Sequence, residues 1–446
     1  MSLQNSLEKF QQQTGILLME NLNTITDNVI LARHILERLN KNFYQTYEGI
    51  GIGTLDEKEY QYLPDFHKYW QAHHAEIVNA HLDRLQARLA ARSLHEARLK
   101  YGEHIFDVTL DTHGLSPQAI AQVRFFTANQ DFREPPEDQF GRYFENDIQF
   151  DAHTIAEDPA GYLAFLGAPR LSQNDKRLDF ANHAAQFLQE RGINAFQIAA
   201  FFDNDAARIR QGILDSVGMG YGRKKTDMFI RDMAVLGVWP NLSNMEVINV
   251  ASDRNTMKLA LRTRILQTDI PLLSSFLDIF GYQYGYIDEM SAAAWRAVWE
   301  EWKATKPETA PPAPCMMDFL LYRIGREYCN DKLVDFACEN GHRFFYFGAQ
   351  IKLCRKCRAT ITPVRRLMPC QVDATQLPRD DKGEILLKDS NLLRIFGGVC
   401  IFEPVCRPKD ADFKRLSPPK AISIIGRTGW TDSYAYKDEG GGGMMG

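Results

Sequence analysis

Val217-Gly218-Met219-Gly220-Tyr221-Gly222-Arg223-Lys224-Lys225-Thr226-Asp227-Met228 is the stretch whose reading decides the fold. Glycines at 220 and 222 let a backbone turn tightly and come close to another molecule. The run from Lys224 onward predicts a helix, and the N–H groups at such a start form an anion site suited to a DNA phosphate. A lysine at that position is a candidate amine nucleophile, for which a nearby carboxylate is the natural partner. The carboxylate to consider is Asp253 in Val250-Ala251-Ser252-Asp253-Arg254-Asn255-Thr256, where it also reads as the N-cap of a helix.

Around this core lies an ordinary globular composition. The 446 residues suffice for two or three domains, and 45% hydrophobic with 24% charged residues fits a folded, water-soluble chain. A net charge of −5 excludes a uniformly basic nucleic-acid binder, so contact with DNA needs a local basic face. Arg208, Arg210, Arg223, Lys224, Lys225, Arg231, Arg254, Lys258, Arg262 and Arg264 offer one, with a solvated helical face as the plainer reading. No apolar run is long enough to span a membrane, and Met1 to Gln13 lacks a signal-peptide core, so a cytoplasmic protein is expected. Eight cysteines in a reducing compartment suggest metal ligands or buried thiols before disulfides.

The glycine hairpin and the downstream aspartate together resemble the signature of helix-hairpin-helix DNA glycosylases, particularly the 8-oxoguanine DNA glycosylase branch. Gly220 and Gly222 match the hairpin glycines, Lys224 the nucleophilic lysine, Asp253 the essential aspartate, and Asp227 an acidic residue often found after the hairpin. The resemblance covers residues 110 to 335 and is most specific between 205 and 265. Gly218 is an extra glycine, and Ala251-Ser252 stands where the family usually has Val-Pro. The Lys-to-Asp interval containing Trp239-Pro240-Asn241 is long, closer to archaeal members. The resemblance implies a DNA glycosylase and β-lyase that excises an oxidised or modified purine by base flipping and Schiff-base chemistry. Lys224 and Asp253 would be catalytic, while Gly220, Tyr221, Gly222, Arg223 and Lys225 would bind DNA. Trp239, Phe280 and Tyr282 are available to stack on the base.

The implied fold is mainly α. A helical region at 1–105 precedes a glycosylase-like domain at 106–310. A small α+β metal-binding part follows at 311–437, then a flexible Gly-rich tail at 438–446. Val29 to Phe43 and Tyr69 to Tyr101 read as helices. Gly49 to Thr54 reads as a loop rather than a phosphate site, because no Gly-Lys-Ser/Thr follows. Ser116-Pro117 starts a helix, Pro135-Pro136-Glu137-Asp138 marks a loop, and Gly192 ends the helix from Asp179. The segment from Ala195 to Leu214 is helical with a break at Asp203-Asn204-Asp205, and Ser291 to Lys303 is a Trp-rich helix. Thr305 to Pro314 reads as a linker, and Phe344 to Phe347, Ile385 to Leu387 and Ala421 to Ile425 as short strands.

Cys338-Glu339-Asn340-Gly341-His342 followed by Cys354-Arg355-Lys356-Cys357 has the spacing of two metal-binding turns. Cys338, His342, Cys354 and Cys357 suit tetrahedral zinc, and the pattern resembles zinc-ribbon and treble-clef modules. Gly325 to Cys329 resembles the opening of the iron-sulfur motif of some helix-hairpin-helix glycosylases. Cys329 in place of His342 would give four thiolates, able to hold zinc or an iron-sulfur cluster. Cys315, Cys370, Cys400 and Cys406 read as buried thiols without a pattern. A second functional reading stays open. It is a non-catalytic glycosylase-like component that binds nucleic acid or a modified nucleobase. Its partners would be other proteins of a bacterial antiviral defence operon, since extended proteins of this kind resemble accessory components of such islands.

Overall fold

Capping residues and buried apolar stripes set most of the helix limits in the computed structural model, which describes residues 8, 11–12, 27–40, 64–108, 110–130, 136–167, 174–270, 284–329, 333–347, 352–354, 356–377, 379 and 396–406. The helices in chain order are α1 (Asn28–Asn40), α2 (Pro64–Val78), α3 (Arg84–Tyr101), α4 (Pro117–Ala128), α5 (Pro136–Tyr143), α6 (Ala152–Glu157), α7 (Pro159–Phe165), α8 (Asn174–Arg191), α9 (Ile198–Phe201), α10 (Ala206–Leu214), α11 (Arg223–Val235), α12 (Arg254–Arg262), α13 (Tyr284–Thr305) and α14 (Asp318–Glu327). The strands are β1 (His81–Leu82), β2 (Leu266–Gln267), β3 (Leu333–Cys338), β4 (Arg343–Phe347) and β5 (Ile361–Leu367). The protein is therefore mainly helical, with a small antiparallel sheet toward its C-terminal side. No described helix is long and apolar enough to cross a membrane.

The chain divides into two compact units, each discontinuous. One holds 103–251 with 309–320, and the other holds 1–102, 252–308 and 321–446. The expected boundaries at 105 and 310 fall near junctions between these segments. The first and last thirds of the chain, however, belong to one unit rather than to separate domains. The stretch expected as a linker, Thr305 to Pro314, spans one of these junctions, and its second half is packed. Thr309–Leu320 is built into the 103–251 unit, with Ala313, Pro314 and Cys315 buried. Proline-rich composition there marks a tight, packed 3-10 turn at Pro314–Met317.

In the 103–251 unit the core is aromatic. Phe125, Phe126, Phe150, Tyr162, Phe187, Tyr221 and Phe229 are all buried in it. Four helix starts are capped as their sequences dictate. Ser116 Oγ accepts from the Ala119 N–H at 3.2 Å ahead of Pro117, and Asp151, Asp158 and Asp205 cap α6, α7 and α10. Asp203 and Asn204 both adopt positive φ, which makes the break between α9 and α10. Gly192, at φ +61, ends α8.

In the other unit α3 packs on α13. Ala87, Ala90 and Leu94 are buried on α3, as are Trp295 and Trp302 on α13. Truncating either tryptophan to alanine costs about 3–5 kcal/mol in such a setting. The expected long helix from Tyr69 to Tyr101 is two helices. Asn79 turns at φ +47, His81–Leu82 pairs antiparallel with Leu266–Gln267, and Asp83 caps α3. The interruption is hidden because its strand is only two residues long, between Asn79 and Asp83, which serve as turn and cap.

The three-stranded sheet has the order β4-β3-β5, all antiparallel. Phe344 to Phe347 lies in β4 as expected, whereas β3 and β5 were not legible beforehand. Pro363 and the adjacent Arg365 and Arg366 disguise β5. Buried Asp335 on the central strand accepts from Arg343 of β4 and from Arg365 Nε of β5 at 3.1 Å, which pins both edges. The segments Met1 to Gln13 (except residues 8, 11 and 12), Gly49 to Thr54, Pro135, Ile385 to Leu387, Ala421 to Ile425 and the Gly-rich tail lie outside the described residues.

Candidate functional site

The hairpin before α11 is built around two glycines with different tasks. Gly220 sits at φ +73, and a Cβ there would lie 2.6 Å from the Phe180 ring and 3.0 Å from the Asn129 carbonyl oxygen. Only glycine fits both the torsion and the space. Gly222 is the N-cap of α11 in extended conformation, with open space where a Cβ would stand and no side-chain cap. The first turn of α11 therefore begins without a side-chain acceptor on its leading N–H groups.

The residues between and after the glycines divide sharply. Tyr221 is a core residue: its ring stacks on Phe125 at 5.6 Å and its hydroxyl donates to the Phe125 carbonyl at 2.6 Å. It can offer only backbone to a phosphate. Arg223 is exposed at the helix start. Lys224, second in the helix, is half-buried, and among the described residues no hydrogen bond or ion pair engages it. Lys225 Nζ donates to the Asn129 carbonyl at 2.8 Å, tying the hairpin to the end of α4. Asp227 is buried and accepts from Arg210 Nε at 2.5 Å.

Beneath this turn lies a charge network that the sequence did not announce. Asp232 of α11 is buried and accepts from Arg124 Nη2 at 2.5 Å and Arg231 Nη2 at 2.6 Å, while Arg231 also donates to Asp318. Burial pushes the Asp232 carboxyl up, but the Arg231 and Arg124 guanidiniums outweigh it and hold the group below its ordinary range. The network ties α11 to α4 and to the Thr309–Leu320 stretch within the unit. Asp318 lies 87 positions from Arg231, and no local pattern points to it.

Asp253 belongs to the other unit, and its own geometry is complete. Its Oδ1 accepts from the N–H groups of Asn255 and Thr256, both at 2.8 Å, and Oδ2 accepts from Asn255 Nδ2 at 3.1 Å. Thr256 Oγ1 in turn accepts from the Asp253 N–H at 2.7 Å, closing a capping box. The expectation that Asp253 opens a helix is met. Gly325 of α14 lies against this first turn, where an added Cβ would stand 2.5 Å from the Asn255 carbonyl oxygen.

The basic stretch does not form one face. Arg231, Lys258 and Arg262 are buried, and Arg208 and Arg210 are paired with Asp203 and Asp227. Burial takes three of these charges from an outward-facing set and local pairing engages two more, while Arg223 and Arg264 are exposed. Trp239 is likewise withdrawn. It is 4% exposed, donates from Nε1 to the Phe196 carbonyl at 3.0 Å and packs on Phe229. It supports the core and offers no face to a base. Phe280 and Tyr282 lie outside the described residues.

Cys338, His342, Cys354 and Cys357 come together, with their ligand atoms all within 4.8 Å of one another. Cys338 ends β3, and Gly341 at φ +79 turns the chain so that His342 Nδ1 stands 3.5 Å from Cys338 Sγ. Cys354 Sγ lies 3.7 Å from the same nitrogen, and Cys338 and Cys357 sulfurs are 3.7 Å apart. A second turn closes through the Arg358 N–H to the Cys354 carbonyl at 2.9 Å. The Ala359 backbone N–H, then the Asn340 side chain, lower the Cys357 thiol to about 6, so it is thiolate near neutral pH. Four soft and imidazole donors at this separation could hold one metal ion. Cys329 is not among them, so the four-thiolate alternative at this place fails.

Compared with known proteins, the chain matches no family model and no curated protein.

Proposed function

We propose that this protein is a DNA glycosylase with β-lyase activity, acting on an oxidised or modified purine. The observation that carries the reading is the start of α11: a glycine hairpin with no side-chain cap, and Lys224 held there without a competing partner among the described residues. The target nucleotide would be flipped out of the stack, because its glycosidic carbon is unreachable inside it. Lys224 would attack C1′ as the base departs, forming a C–N bond while the C–N bond to the base breaks. The resulting imine permits β-elimination at the 3′ side. Gly220, Tyr221 and Gly222 would offer backbone N–H groups to a phosphate, with Arg223 alongside.

By the resemblance, Asp253 would supply the negative charge that stabilises an oxocarbenium-like transition state. Its carboxylate already accepts three hydrogen bonds, from the N–H groups of Asn255 and Thr256 and from Asn255 Nδ2. The same observation favours the second reading, a glycosylase-like component that binds nucleic acid or a modified nucleobase without cutting it, alongside other proteins of a defence operon. Incubation with a panel of lesion-bearing oligonucleotides under borohydride separates the two. A protein–DNA crosslink lost in Lys224→Gln supports the enzyme, and binding without any crosslink supports the non-catalytic component.

The Cys338–His342–Cys354–Cys357 group we assign to structural zinc. Zinc–sulfur bonds of about 2.3 Å place tetrahedral sulfurs about 3.8 Å apart, and the Cys338 and Cys357 sulfurs stand at 3.7 Å. All four positions are filled by protein donors, which closes the site to substrate. One zinc per chain by elemental analysis, lost in Cys354→Ser, tests the assignment.

A further inference from the structure

Between Cys338 and Leu367 the sequence places seven arginines and lysines against one acidic residue, Glu339, in a chain whose net charge is −5. Of the seven, Arg343, Lys352, Lys356, Arg358 and Arg365 are exposed. Lys352, Lys356 and Arg358 border Cys354 and Cys357 on the second metal turn, and Arg343 and Arg365 stand on β4 and β5. A positive region inside an acidic chain gathers polyanions at its surface.

The sheet has two unlike faces. One packs on a small hydrophobic cluster, with Val334, Phe336 and Ile361 buried in it and Phe344 and Tyr346 against it. Alternation along β4 puts Arg343 and Phe345 on the opposite face. The register sets Phe345 and Arg365 on either side of Asp335, and Arg343 beside Ala337. Asp335 is 2% exposed, yet the arginine side chains that donate to it are each 58% exposed. One buried carboxylate thus holds two guanidiniums at an open surface. Each guanidinium carries five N–H donors, and Asp335 accepts one from each. A head fixed in advance loses less side-chain freedom when it meets a phosphate. Phe345, half-buried, lies on the same face as both.

We propose that this face of the β4-β3-β5 sheet, with the basic second metal turn, binds a single-stranded nucleic acid. Arg343 and Arg365 take phosphates, Phe345 stacks on a base, and Lys352, Lys356 and Arg358 add charge along the backbone. The aromatic ring decides among polyanions. Guanidiniums alone would serve an acidic peptide equally well, whereas a ring beside them suits a base between two phosphates. Only an unpaired base offers its flat face to a ring, which selects a single strand. The glycine hairpin belongs to the other unit. The proposal needs no reaction, so it rests on neither the glycosylase reading nor the identity of the metal.

The test titrates the full chain into a short fluorescent oligothymidine and follows anisotropy at several salt concentrations, with zinc content measured on every variant. The wild type should bind the single strand more tightly than a blunt duplex of equal length, and polyglutamate should not displace it. Lys352→Gln with Lys356→Gln should weaken binding and flatten the salt dependence by about 1.4 in the logarithmic slope, at about 0.7 per lost contact. Phe345→Leu should weaken binding roughly tenfold and leave that slope unchanged. Arg365→Gln, which leaves Asp335 its Arg343 partner, should weaken binding and flatten the slope by about half as much as the lysine pair. If Arg365→Gln loses its zinc, the other two variants decide, since both leave Asp335 paired as it is. No binding by the wild type overturns the proposal, as does displacement by polyglutamate, which would mark an acidic protein as the partner. So does binding that survives Phe345→Leu and is lost in Arg223→Gln, which would put the site at the hairpin. Absence of borohydride trapping would count against the glycosylase reading alone.

Discussion

The starts of α11 and α12 are built in opposite ways. α11 begins on a glycine with no side-chain cap, and α12 begins on an aspartate whose carboxylate takes both leading N–H groups in a capping box. One start leaves its positive end open to an external anion, while the other satisfies its own. The lesson is that a lysine and an aspartate at two helix starts need not do equivalent work. Lys224 has no structural duty among the described residues, and Asp253 has a full one.

The sharpest break of this comparison is chemical. Lys224→Gln is expected to abolish borohydride trapping outright while leaving DNA binding and the melting temperature close to wild type, as gel-shift and calorimetry would show. If trapping persists, the open start of α11 is not the reacting centre, and another amine is.

Next in size is the support beneath the open start. Arg124→Met removes one of the two guanidiniums on buried Asp232 and is expected to cost about 3–5 kcal/mol, measured by urea unfolding. The pH dependence carries a sign. Asp232 is depressed in the folded state, so its contribution is present above the usual aspartate range, near about 3.9, and is lost as pH falls through the lower folded value. In Arg124→Met the folded value rises, so the acid transition should move to higher pH. An unmoved transition would show that Asp232 does not set it.

The glycines should separate by a smaller margin. Gly220→Ala meets both a positive φ and contacts at 2.6 and 3.0 Å, and is expected to destabilise by about 1–3 kcal/mol. Gly222→Ala meets open space in extended backbone, and its cost should stay near or below about 1 kcal/mol. Equal effects would mean that the hairpin does not depend on the left-handed turn at 220. Smallest is the cap itself. Asp253→Ala should cost about 1 kcal/mol and Asp253→Asn a few tenths, because Asn is a comparable cap. Any loss of base release in Asp253→Asn beyond that stability change then belongs to the charge.

What the sequence disclosed follows the range over which each signal acts. Local signals were legible: Ser116-Pro117, the break at Asp203-Asn204-Asp205, Gly192 and the cap at Asp253 act within a few residues, and the four donors of the zinc-type group fall in two short turns between 338 and 357. Contacts across the chain were not. Arg231 reads as part of a basic face until Asp318 is seen beside it, and Trp239 reads as a stacking platform until Phe196 and Phe229 enclose it.

The pairing of His81–Leu82 with Leu266–Gln267 has a consequence for synthesis. As the chain leaves the ribosome, α3 emerges with Ala87, Ala90 and Leu94 uncovered, and α13, which packs on it, arrives about two hundred residues later. Meanwhile nearly all of the 103–251 unit has been made and can collapse around its own aromatic core. At roughly 5–20 residues per second, the earliest helices wait ten seconds or more, on the order of magnitude, for their partner. Arg84 and Arg88, which later meet Glu300 and Glu301, stand exposed on the same helix from the start.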